Sequence, residues 1–227
     1  NGKAPMDEVY MKPEASADKA IYEAWRKAPN PTICCVKWGT LYGPEYVNRL
    51  YRMIQLNLPE GFRGKFICFT EDGTGLIPAI EVRPIPDAAL TGWWTKLSLF
   101  KAGVFPAGER VFFFDLDTVI TGDLESILSY RGEFAILRDF YRPEGYGSAV
   151  MTWQAGKCDF IWNSFEEAGR LFVTGGDQAW IERMVPNAVR LQDYFTGAFV
   201  SYKVDCANGP PKDARVVGIP QGGDLIR

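Results

Sequence analysis

The chain contains no histidine among its 227 residues. That excludes Ser-His-Asp and Cys-His catalysis, histidine-ligated zinc and histidine general bases. Any chemistry here runs on carboxylates, lysine, tyrosine, amides and backbone groups. Cysteine is sparse: Cys34, Cys35, Cys68, Cys158 and Cys206 form no C-x-x-C pair, and five is an odd number for a disulfide framework. Cys34, Cys35 and Cys68 sit inside apolar, strand-like runs, where a free thiol behaves as a small hydrophobe, so a reducing, cytoplasmic setting is expected. No stretch approaches the ~18 apolar residues of a transmembrane segment. No charged-then-apolar leader opens the chain either, so it reads as soluble. Runs of Lys or Arg stop at two residues and the net charge is −3, which argues against a nucleic-acid groove. The first residue is Asn1 rather than Met, as expected of a processed chain or a piece of a longer one.

Aromatic residues are plentiful at 14%, with 7 Trp, 10 Tyr and 15 Phe. They suffice for a substantial core and for rings lining a ligand cleft. The length suits one α/β domain burying roughly 70–75% of its unfolded surface. Residues 1–30 are polar and read as a lead-in with a short helix over Ala17–Lys27, and the domain is expected over residues 31–227. Within it, strands are predicted at Thr32–Val36, Lys65–Thr70 and Ala79–Arg83. A helix begins at Pro44 with Tyr46, Val47, Leu50, Tyr51 and Ile54 on one face, and Leu58-Pro59 stops it. A further helix is predicted over Trp93–Ala102, and Asp123 is a reasonable N-cap for one over Leu124–Tyr130. Strands follow at Glu133–Arg138, Ala149–Trp153 and Ala198–Tyr202, with helices at Asp159–Ala168 and Asp177–Met184. Strands alternating with helices predict a largely parallel sheet in the first half and a mixed second half.

The run Val111-Phe112-Phe113-Phe114 is apolar on both faces, as in a buried central strand, and it leads into Asp115-Leu116-Asp117. Residues i and i+2 of an extended chain point the same way, so both carboxylates leave the sheet together, at the strand end where open α/β sheets bind ligands. Two such charges repel by roughly 1 kcal/mol in water and about 4 at an effective dielectric near 20. The pair therefore favours a shared proton or a hard divalent ion, Mg²⁺ or Mn²⁺, which brings phosphate oxygens with it. Two solvated aspartates at a strand exit are the plainer alternative.

Asp115-Leu116-Asp117-Thr118-Val119 literally meets the D-x-D-x-[T/V] pattern of haloacid-dehalogenase-type phosphatases. That motif normally opens its fold, however, and the later G-D-x-x-x-D pair is missing, since Gly176-Asp177 is followed by Ile181. Four other segments come in the right order for a different family. They are Trp94-Thr95-Lys96-Leu97-Ser98-Leu99-Phe100, the stretch from Glu109 through Asp115-Leu116-Asp117 to Gly122-Asp123-Leu124, Gly147-Ser148-Ala149-Val150-Met151, and Gly176-Asp177-Gln178. Over residues 31–220 the chain thereby resembles GT-A fold nucleotide-sugar glycosyltransferases, especially the glycogenin-like family 8 group.

That resemblance implies a GT-A (Rossmann-like) α/β fold and a metal-dependent transfer from a nucleotide sugar, most readily a UDP-sugar, to a glycan or other hydroxyl acceptor, with retention. It places Mn²⁺ or Mg²⁺ on Asp115 and Asp117, or Asp115 on the ribose with Asp117 on the metal, and it sets Leu116 among the donor-binding residues. Lys96 faces the diphosphate; on its own it reads equally as a surface lysine. Val36, Lys37, Trp38 and Asp72 stand where the family grips base and ribose, although Trp38 also reads as core and Asp72 as a turn residue. Asp139 and Ser148 are placed beside the donor sugar, and Asp177 and Gln178 below the reacting carbon, with Asp177 the candidate base if the enzyme inverts. Tyr141, Tyr146, Trp153 and Trp180 are candidates to stack on sugar rings. One departure stands out. The family closes its metal site with a histidine in an H-x-x-G-x-x-K-P segment, and the matching stretch from Ala214 to Asp224 has neither His nor Lys. Asp224, Gln221 or water is left to complete the shell, or the ion arrives with the donor. A GT-A-like binding module without turnover is the alternative this departure suggests.

Overall fold

Four strands make the first half of the chain: β1 (Thr32–Lys37), β2 (Phe66–Thr70), β3 (Glu81–Arg83) and β4 (Arg110–Phe114). β1 pairs in parallel with both β2 and β4, and β2 with β3. The structure is a computed structural model that describes residues 30–219. The helix expected over Ala17–Lys27, and the residues Gln221 and Asp224, lie outside the described residues.

The central strands are apolar at nearly every position because both faces are covered. Alternation sends Ile33, Cys35, Phe112 and Phe114 into one core with Val47, Leu50 and Ile54 of helix α1 (Pro44–Leu56). Cys34, Val111 and Phe113 enter a second core with Leu97, Phe100, Trp153 and Phe165. Pro44 starts α1, where its missing N–H costs nothing.

Beyond β4 the short strand β5 (Thr118–Ile120) and helix α2 (Glu125–Leu128) lead to β6 (Phe134–Arg138) and β7 (Tyr146–Gln154). β7 runs antiparallel to β4, with Phe114 opposite Val150, and antiparallel to β6, with a register shift between Ile136 and Leu137. Helices α3 (Asp159–Glu167) and α4 (Gly176–Met184) follow, then β8 (Val189–Arg190), α5 (Leu191–Tyr194), β9 (Phe199–Ser201), α6 (Tyr202–Asp205) and β10 (Val216–Gly218). The main sheet has the order β3-β2-β1-β4-β7-β6-β8, and a small second sheet the order β5-β10-β9. This is the mixed, mostly parallel α/β sheet expected. Among the described residues no helix is long and apolar enough to cross a membrane.

Two elements depart from expectation in ways that matter for the site. The helix predicted over Trp93–Ala102 forms over Gly92–Phe100 and is wound as a 3₁₀ helix. The Thr95 hydroxyl donates to Gly92 O at 2.8 Å and the Ser98 hydroxyl to Thr95 O at 2.6 Å. Both bonds reach three residues back, the spacing of a three-residue turn. The helix expected over Leu124–Tyr130 shrinks to a single turn; Asp123 still accepts the Glu125 N–H at 3.2 Å.

Candidate active site

The chain leaves β4 at Phe114 and turns at once. Asp115 N–H donates to Ala149 O on β7 at 2.8 Å, and Thr118 N–H returns to Asp115 O at 3.1 Å. Leu116 is buried in the core while Asp115 and Asp117 remain partly exposed, so the two carboxylates share the open side of the turn. This is the central position in the sheet, with parallel β1 on one side and antiparallel β7 on the other.

Lys96 reaches this turn from the 3₁₀ helix. It is buried, against its reading as a surface lysine, and its ammonium lies 5.5 Å from the centre of the Phe113 ring. Nζ donates to Asp115 Oδ2 at 2.7 Å and to Ser148 Oγ on β7 at 3.2 Å, and it sits 3.8 Å from Asp177 Oδ2. Four residues singled out from sequence therefore meet around one ammonium group. Asp177 is 3% exposed and its Oδ2 accepts no hydrogen bond. A buried carboxylate oxygen left in that state is costly, and such atoms concentrate where a ligand completes the network.

Electrostatics follow from this crowding. Burial disfavours the charged form of Lys96, but the carboxylates of Asp115, Asp177 and Asp117 outweigh it and raise its pKa above the ordinary lysine value. For Asp115 burial comes first and Asp117 adds repulsion; against the attraction of Lys96, its pKa is still pushed up to about 7. Three carboxylates against one ammonium leave the cluster with an excess of negative charge. That excess of negative charge beside a raised carboxyl pKa marks the cluster as a candidate site.

A second group gathers at the carboxyl ends of β1 and β2. Lys37 is buried and donates to Asp72 O at 3.4 Å. Trp38 is 37% exposed, so it is not a core residue, while Val36 packs half-buried against the second core. Asp72 Oδ1 accepts the Thr74 N–H at 2.8 Å, and hydrogen bonds from the Thr74 side chain and backbone hold its carboxyl below the usual carboxylate range. Asp139 lies at the end of β6, where its Oδ1 accepts the N–H groups of Tyr141 and Arg142 at 2.8 and 3.1 Å and so shapes a turn. Gln178 is half-buried in the first turn of α4. Among the described residues, no hydrogen bond joins Asp139 or Gln178 to the Lys96 cluster.

The aromatic candidates require correction. Tyr146, Trp153 and Trp180 are 1–2% exposed and belong to the second core, where Trp180 Nε1 donates to Ile161 O at 3.1 Å. Only Tyr141 of that set is exposed. The ring that does lie open beside the cluster is Trp93, which sequence reading passed over. A Cβ on Gly176 would fall 2.6 Å from Trp93 Nε1, and Gly176 has φ +74° after Gly175 at φ +96°. The paired glycines ahead of Asp177 were the available signal.

Two carboxylates on one turn provide the hard oxygen donors that Mg²⁺ and Mn²⁺ take. Among the described residues, though, no group of three or more His, Cys, Asp or Glu side chains is set to hold a metal ion. The donor set thus fits an ion that brings further oxygens with it, and does not fit a cage closed by protein alone.

A scan of protein-family models finds no match, and neither does a search of the curated proteins. Among solved structures, the chain is similar to the glycosyltransferase GlyE of Streptococcus pneumoniae TIGR4. The TM-score is 0.59 at 13% identity, over 86% of this chain and 55% of that one. The chain therefore shares the α/β fold of that structure and spans about half its length.

Proposed function

We propose that this chain is a GT-A glycosyltransferase of the glycogenin-like family 8 kind. It moves a sugar from a nucleotide-sugar donor, UDP-linked in the first instance, to a glycan or other hydroxyl acceptor with retention of configuration. The observation that carries the reading is the meeting of Lys96, Asp115, Ser148 and Asp177 at the carboxyl end of β4, with Asp117 on the same turn. A nucleoside diphosphate leaves readily only when its charge is neutralised. Lys96 supplies one fixed positive charge in a buried setting, where it needs no reorganisation. Asp115 and Asp117 would hold Mn²⁺ or Mg²⁺, which when bound acts as a Lewis acid on the phosphate oxygens. Lys37, Trp38 and Asp72, with Val36 and Leu116 shaping their strand ends, receive the nucleoside. Ser148 and Asp139 face the donor sugar, and Asp177 with Gln178 lies below the reacting carbon. Five buried, unpaired thiols agree with a reducing, cytoplasmic setting.

Calorimetric titration with UDP, with and without Mn²⁺, tests this directly. Metal-dependent micromolar binding that disappears in Asp117→Ala is expected; no binding in either condition overturns the reading. NMR of the product anomer decides retention, and an inverted product transfers the base role to Asp177. The lack of a third protein ligand among the described residues favours a second reading, a nucleotide-binding module without turnover. Mn²⁺-dependent donor hydrolysis, lost in Asp117→Ala, would eliminate it.

A further inference from the structure

Trp93 is 57% exposed, whereas Trp153, Trp162 and Trp180 are buried. It is nevertheless held in place. Its neighbour Trp94 stacks on Phe165 at 5.7 Å and meets the edge of Phe172 at 4.9 Å, which anchors the start of the 3₁₀ helix. Its own ring lies against Gly176, where the positive φ and the missing Cβ admit it. Gly176 is the residue before Asp177, and Lys96 lies three residues after Trp93 on the same helix. Leu171 and Phe172, 48% and 57% exposed, lie on the segment that leads into Gly175, and the Phe172 ring meets Trp94.

We propose that Trp93 is the floor of an acceptor subsite that takes a pyranose ring. The inference rests on the glycosyltransferase reading above and adds to it the place and chemistry of acceptor recognition. A pyranose has an apolar face of C–H groups and a polar rim of hydroxyls. A flat, rigid indole with two side-chain torsions binds such a face at small entropic cost. Trp93 is joined to the cluster through Gly176 and Asp177 rather than through the β4 turn that would hold the diphosphate. A sugar resting on it therefore approaches the reacting centre from the acceptor side. Of the four aromatic residues expected from sequence, Tyr146, Trp153 and Trp180 are buried in the core and do not compete for this role.

Saturation-transfer NMR on the whole chain, with UDP and Mn²⁺ present, tests the assignment. The probes are methyl α- and β-glucopyranoside, methyl α- and β-galactopyranoside and N-acetylglucosamine, and UDP affinity is measured in parallel by calorimetry. At least one saccharide is expected to bind wild type through its C–H face. In Trp93→Ala its dissociation constant rises by about tenfold or more, and Trp93→Phe recovers part of the loss. UDP affinity and melting temperature stay unchanged in both variants. Saccharide binding that is equal in wild type and Trp93→Ala overturns the proposal. So does a parallel loss of UDP affinity, which would place Trp93 on the donor, and so does a wild type that binds UDP but no saccharide. A wild type that binds no UDP refutes the glycosyltransferase reading, and this subsite with it.

Discussion

Replacing Lys96 by methionine tests the electrostatics of the cluster, because Met keeps most of the side-chain volume against Phe113 and removes the charge with its hydrogen bonds to Asp115 and Ser148. In the wild type one ammonium serves Asp115 at 2.7 Å and Asp177 at 3.8 Å. Breaking a buried ion pair by deleting one partner costs ~3–5 kcal/mol, since the other charge stays behind unpaired. The Asp115 side chain keeps 27% exposure, so water recovers part of that and a loss of about 2–3 kcal/mol at pH 8 is expected. Urea unfolding with linear extrapolation measures it. The pH dependence has a definite sign. The folded-state pKa of Asp115 lies above its ordinary value of 3.8, at about 7. Its contribution is therefore fully present below about pH 4 and is lost as pH rises through about 7. Without Lys96, the main attraction holding that pKa down, the penalty at pH 8 deepens while the difference at pH 4 shrinks. In an Asp115→Asn background, Lys96→Met should cost ~1–2 kcal/mol less than in wild type. A loss under about 0.5 kcal/mol, within the range of an ordinary surface substitution, would refute the account. So would a loss that is identical at both pH values and in both backgrounds.

Gly176→Ala combines a positive φ with a Cβ 2.6 Å from Trp93 Nε1; it should destabilise by ~1–3 kcal/mol, read as a lower urea midpoint, with saccharide binding weakened alongside. Asp177→Asn removes a buried charge whose Oδ2 accepts no hydrogen bond. Its melting temperature should hold or rise while transfer falls on the order of 100-fold, and unimpaired transfer removes Asp177 from the chemistry. All five thiols are buried, and burial pushes Cys158 up to about 12 and Cys34 and Cys35 well above the ordinary value. An aromatic disulfide reagent at pH 8 should find none of them reactive in the native protein and all five after unfolding.

How much of this was legible beforehand depends on what each residue reports. Strands β1, β2 and β4 were read within a residue or two, because a strand covered on both faces is a continuous apolar run bounded by turn residues. β8 and β10, two and three residues long, carry no period to detect and exist only because a partner strand lies beside them. The 3₁₀ helix was read simply as a helix, because its polar residues Thr95, Lys96 and Ser98 are too few to tell a three-residue turn from one of 3.6. Lys96, Asp115, Ser148 and Asp177 were legible through their order along the chain, although nothing in the sequence said that they would converge on a single ammonium. The aromatics failed for a different reason. Residue type gives size and polarity, while exposure is a property of the whole fold, so Trp153, Trp180 and Trp93 look alike until the core is assembled.

The coil of Gly92–Phe100 couples two tasks through its pitch. Three residues complete one turn of a 3₁₀ helix at ~2.0 Å each, so Trp93 and Lys96 are eclipsed along one edge, about 6 Å apart in rise. Wound as an α-helix, the same residues would stand ~60° out of line and closer together in rise. The hydroxyls of Thr95 and Ser98 enforce that winding from within. They work as a gauge that sets the spacing between the Trp93 ring and the Lys96 ammonium. Lengthening the segment by a single residue should turn the ring away from the ammonium while leaving the sheet beneath intact.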